Sequence, residues 1–97
     1  MIHLAPEELA AVRAILRARL PGCEVRAFGS RATGIRLKPF SDLDLALMTK
    51  SALTDAQLGQ LREEFNESDL PFRVDLVDWA AAGADFRAAI ADQLQPV

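Results

Sequence analysis

The segment Ser41-Asp42-Leu43-Asp44-Leu45-Ala46-Leu47-Met48 alternates acid and leucine before running into small and apolar residues. An extended strand sorts this pattern, because successive strand side chains point to opposite faces of a sheet. Asp42, Asp44, Ala46 and Met48 then share one face, and Leu43, Leu45 and Leu47 share the other. The leucine face needs an apolar cover, and the carboxylates are left on the opposite side.

A second strand with the same construction follows. In Phe72-Arg73-Val74-Asp75-Leu76-Val77-Asp78-Trp79, the residues Arg73, Asp75, Val77 and Trp79 share one face, and Phe72, Val74 and Leu76 share the other. With both apolar faces turned to the same helices, Asp75 stands on the side of Asp42 and Asp44. Asp78, on the opposite face from Asp75, is expected to cap the last helix.

The remaining elements alternate helix and strand. Pro6 suits a first helical turn, Glu7 and Glu8 suit the positive end of the helix dipole, and Leu9, Val12, Ile15, Leu16 and Leu20 repeat at helical spacing until Pro21-Gly22 stops them. Cys23, Val25 and Ala27 alternate with Glu24 and Arg26 as a strand that runs into Gly29-Ser30. Residues 30–34 form a short helix and 35–41 a loop. Thr54 and Gln57 make a capping-box pattern ahead of Leu58, Leu61 and Phe65, a helix ending near Glu67, and residues 80–94 are expected to form one final helix. The order predicts an α/β (α+β) fold, a small mixed sheet with helices mainly on one face.

At 97 residues the chain is expected to be a single domain over 1–97, burying somewhat more than about 60% of its unfolded surface. Its composition, 51% hydrophobic and 26% charged, is that of a globular protein and argues against disorder. No apolar run approaches the roughly 20 residues of a membrane span, and no signal-peptide core is present, so a cytoplasmic location is expected. A net charge of −3 argues against a broad basic nucleic-acid surface, so no direct nucleic-acid binding is expected. The single Cys23 excludes an internal disulfide and reads as a small buried hydrophobe, and His3 is given no chemical role.

Three carboxylates on one face repel one another and raise one another's pKa unless a cation lies between them. Their hard oxygens suit Mg²⁺, which binds one or two protein acids together with substrate phosphates. Gly29 permits a backbone conformation that other residues avoid, and Ser30 offers a hydroxyl and an amide where phosphate oxygens are favourably held. Arg31, Arg36 and Lys38 place positive charge in the same stretch.

Together, Gly29-Ser30-Arg31-Ala32-Thr33-Gly34, Ser41-Asp42-Leu43-Asp44-Leu45 and Val74-Asp75-Leu76-Val77 resemble the minimal nucleotidyltransferases of the DNA polymerase β superfamily, over most of the chain. Eleven residues separate Ser30 from Asp42, close to the family spacing, and loop 35–41 can absorb a difference of one residue. The resemblance implies that Asp42, Asp44 and Asp75 are the catalytic, metal-binding residues for two Mg²⁺ ions. It implies that Gly29, Ser30 and Arg31 hold the phosphates of ATP. Because the chain lacks the acceptor-gripping domains of larger members, the resemblance further implies an antitoxin of a HEPN-domain ribonuclease toxin, transferring AMP to a tyrosine of that partner and releasing pyrophosphate. Neutralisation by binding alone, and transfer to a nucleic acid or small molecule, stand as alternatives.

Overall fold

The computed structural model describes residues 2–97. It builds a four-stranded sheet in the order β3-β2-β1-β4 from β1 (Val25–Phe28), β2 (Leu43–Leu47), β3 (Val74–Asp78) and β4 (Gln95–Pro96). β1 pairs antiparallel with both β2 and β4, and β2 pairs parallel with β3, so the sheet is mixed. A parallel pair cannot be closed by a tight turn, and the crossover is supplied by a helix between the two strands.

Four α-helices accompany the sheet: α1 (Pro6–Arg19), α2 (Ser30–Thr33), α3 (Asp55–Glu67) and α4 (Ala84–Ile90). At the start of α1 the Glu8 carboxylate accepts the Ala5 N–H at 2.8 Å. At α3 the Thr54 hydroxyl accepts from the Gln57 N–H and the Gln57 side chain accepts from the Thr54 N–H, the reciprocal box expected from the sequence.

The core lies on the leucine face. Leu43, Leu45 and Leu47 of β2 and Val25 and Ala27 of β1 are buried against Val12 and Leu16 of α1 and Leu61 and Phe65 of α3. Register places Val25 opposite Leu47 and Ala27 opposite Leu45, so Arg26 and Phe28 fall on the carboxylate face. There Phe86 of α4 meets Phe28 edge-on, with ring centroids 5.8 Å apart. Ala46, on the same face, is also fully buried.

Three expectations need correction. Residues 80–94 are not one helix: a 3₁₀ turn at Trp79–Ala81 gives way to extended backbone at Ala82 and Gly83 before α4 begins, and a second 3₁₀ turn at Ala91–Gln93 leads into β4. Gly83, a poor helix former, is where the alanine-rich run breaks. Asp78 does not cap a helix, since α4 starts six residues later. Its buried carboxylate instead accepts from the Thr49 hydroxyl and, at 2.7 Å, from the Leu53 N–H, tying the β2–α3 connection to the end of β3. Cys23 is only partly buried. No helix among the described residues is long and apolar enough to cross a membrane.

Leu45 sits in the middle of β2 with no exposed surface. Leu45→Ala is expected to lower the unfolding free energy by about 2–5 kcal/mol, read from chemical denaturation, because the sheet and both covering helices close round the vacated volume only in part.

Candidate active site

The site forms where β1 turns into α2 beside the first residues of β2 and β3. Asp44 pairs with Phe28 on one side and with Asp75 on the other. Neighbouring strands are about 4.8 Å apart, so Asp44 and Asp75 are directly adjacent on one face. Asp42, one residue before β2, is exposed at the same end.

These carboxylates act on one another. Asp44 is half-buried and its pKa is pushed up to about 6, first by desolvation and then by the charges of Asp75 and Asp42. The Asp75 side chain, 44% exposed, has Arg73 at 3.5 Å as its ion-pair partner. That pair is long and solvent-exposed and does little to offset the repulsion.

Gly29 stands against this cluster. Its φ of 74° and ψ of −160° belong to glycine, and a Cβ built there would overlap the Asp44 carboxylate. Its carbonyl accepts from the N–H groups of Ala32 and Thr33, both at 3.0 Å, and its own N–H donates to the Gln93 side-chain oxygen at 2.9 Å. The amides of Ser30 and Arg31, in the first turn of α2, have no partner within the helix. Among the described residues nothing engages the Ser30 hydroxyl.

Arg31 is held apart from that open side. It is 5% exposed, and its guanidinium donates to the carbonyls of Ser41 at 2.7 Å, His3 at 3.0 Å and Pro39 at 3.1 Å, while lying 4.1 Å from the Phe72 ring centre. Its backbone carbonyl accepts the His3 N–H at 2.6 Å. These contacts fix the loop that delivers Asp42 and stitch the N-terminal segment to it. The same loop presents Ile35, 68% exposed, and Phe40, 74% exposed, beside Arg36 and Lys38.

No group of three or more His, Cys, Asp or Glu side chains among the described residues is gathered closely enough to cage a metal unaided. The donor set nonetheless suits Mg²⁺. It consists of carboxylates alone, one of them raised in pKa by its neighbours, and Mg²⁺ characteristically takes one or two protein acids and completes its shell with water and substrate phosphate.

The candidate site is thus a Gly-Ser turn set against paired carboxylates on adjacent strands of a mixed sheet. The model of the Polymerase beta, Nucleotidyltransferase family matches residues 24–95, and the chain belongs to that family. It is 47% identical over 89 residues to a probable protein adenylyltransferase, MntA, of Haemophilus influenzae, covering 92% of this chain and 77% of the relative. It is also similar to a crystal structure of a toxin-antitoxin with AMP-PNP, with a TM-score of 0.72 and 25% identity, over 90% of this chain and 69% of the other.

Gln93 was not among the residues singled out from the sequence. Its one available signal, a polar residue shortly before Pro96, had no meaning until β4 was placed beside β1.

The charge on Asp44 has a sign that can be measured. In the unfolded chain a carboxyl loses its proton near pH 4, whereas in the metal-free fold Asp44 keeps it to about pH 6. The folded state therefore carries the extra proton between these values, so stability falls as pH rises from about 4 to about 6 and the penalty persists above. Asp44→Asn is expected to flatten that slope in metal-free thermal melts. It is expected to stabilise the fold at pH 7 by roughly 1 kcal/mol, a figure that allows for solvent screening at the half-exposed carboxylate.

Proposed function

We propose that this nucleotidyltransferase is the antitoxin of a two-component module, transferring AMP from ATP to a tyrosine hydroxyl of a HEPN-domain ribonuclease toxin and so silencing it. The observation that carries the reading is the direct pairing of Asp44 with Asp75 against the Gly29 turn. A protein acceptor is supported by the adenylyltransferase name of the 47%-identical relative, and a toxin partner by the similar toxin-antitoxin structure.

In this reading Gly29 and Ser30 hold the β and γ phosphates and expose the α phosphorus. Asp42 and Asp44 hold Mg²⁺ with the triphosphate, and Asp75 joins them toward the acceptor. When bound, the metal neutralises charge on the triphosphate and makes the acceptor hydroxyl more acidic. The tyrosine oxygen forms a bond to the α phosphorus as the bond from that phosphorus to the bridging oxygen breaks. Pyrophosphate leaves with that oxygen, and the hydroxyl proton passes to the Asp75 carboxylate or to water. Arg31, expected from the sequence to touch phosphate, is assigned to holding loop 35–41 and thereby Asp42 in place.

The exposed Ile35, Leu37 and Phe40 next to Asp42 suit a protein acceptor, which must lie against the chain to bring its hydroxyl to the α phosphorus.

Incubation with α-labelled ATP, Mg²⁺ and the product of the adjacent reading frame is expected to label that partner. An Asp42→Asn, Asp44→Asn double variant should lower labelling by roughly a hundredfold or more. Neutralisation of the partner without label, unchanged in the variant, would instead identify an antitoxin that works by binding alone. Phe40→Ser is expected to raise the KM for the partner about tenfold and leave the KM for ATP unchanged, as expected for one well-buried aromatic contact.

A further inference from the structure

Glycine at position 29 solves one problem and creates another. Without a Cβ the backbone can pass against the Asp44 carboxylate, but glycine populates many conformations, so its own geometry selects none of them. The orientation of the Gly29–Ser30 peptide, and with it the direction of the Ser30 N–H and hydroxyl, must be imposed from outside. On the carbonyl side α2 imposes it, through the bonds from Ala32 and Thr33. On the amide side the anchor is Gln93, a residue 64 positions away in sequence.

The fold places Gln93 there by strand register. In the ladder between β1 and β4, Ala27 pairs with Gln95 and Arg26 with Pro96, and the Val97 N–H donates to the Val25 carbonyl at 3.1 Å. Two residues further along the same antiparallel register, Gln93 falls opposite Gly29. The regular ladder has ended by then, and the side-chain oxygen of Gln93 accepts the Gly29 N–H in place of a main-chain carbonyl. The bond is partly buried, where a lost acceptor leaves an amide short of a partner.

We infer that Gln93 is a positioning residue for nucleotide binding: its side-chain amide holds the Gly29 N–H so that the Gly29-Ser30 turn presents its remaining donors to the triphosphate. Gln93 makes no contact with substrate in this role and acts through Gly29. The inference rests on the nucleotidyl-transfer reading of the site and adds to it the segment that follows α4, which otherwise serves only to close the edge of the sheet.

The test measures binding of Mg²⁺-AMP-PNP by calorimetry to the wild-type chain, to Gln93→Met and to Val97→Ala. Gln93→Met keeps the volume and removes the acceptor, whereas Val97→Ala loosens the same terminal strand and leaves Gln93 intact. Melting temperatures are recorded for all three, and exchange of the Gly29 amide is followed by NMR. Gln93→Met is expected to weaken binding about tenfold, the scale of one hydrogen bond, and to speed Gly29 exchange. Val97→Ala should lower the melting temperature at least as much and leave the affinity as it was. Equal affinity in Gln93→Met and wild type would overturn the inference and reduce the contact to packing. Tighter binding in Gln93→Met would overturn it too, by showing that Gln93 competes with phosphate. If the wild-type chain itself fails to bind Mg²⁺-AMP-PNP, the nucleotide reading falls, and the inference falls with it.

Discussion

Burial of Leu43, Leu45 and Leu47 beneath α1 and α3 is the constraint on which the site depends. Once these side chains are committed to the core, the pleat leaves Asp44 no choice of face, and the parallel pairing of β2 with β3 sets Asp75 beside it. The apolar free energy of the leucine face thus holds together charges that would separate if free to do so. The cost appears in the pKa of Asp44, raised first by burial and then by the charges of Asp75 and Asp42. A one-residue slip of β2 would bury the acids and expose the leucines, so fold and site share one register.

Arg31 and Gln93 extend this arrangement outward by different means. Arg31 is a buried cation satisfied by three carbonyls and an aromatic face, which lets an irregular loop carry Asp42 to a defined place. Gln93 is a neutral side chain completing a ladder that has run out of main-chain partners. Both hold backbone, and neither supplies charge to the carboxylate cluster.

The strongly periodic parts of this chain were legible in the sequence. The alternation through β2 and β3 placed Asp44 and Asp75 on one face, and the Thr54–Gln57 box marked the start of α3. What escaped was long-range or conditional. Arg31 beside Gly29-Ser30 looked like a phosphate ligand because sequence adjacency does not reveal that the guanidinium turns inward to the carbonyls of residues 3, 39 and 41. The alanine-rich stretch after Trp79 carries helical propensity throughout, yet tertiary contacts and Gly83 divide it. Gln95–Pro96 is too short to show a strand period, so neither β4 nor the neighbour it gives Gly29 could be read from local pattern.

The two outer strands also differ in how they discourage another sheet from adding to them. β4 is two residues long and contains a proline, which offers no N–H to an incoming strand. β3 is longer and pairs parallel with β2, and Arg73, just before it, and Asp75 within it put charges on this edge strand. Charged side chains on an exposed edge hinder self-association. Asp75 therefore stands on an edge strand, where a charged side chain also discourages the addition of another sheet. A chain neutralised at Asp75 loses part of that protection, so its state of association belongs beside its activity in any comparison with the parent.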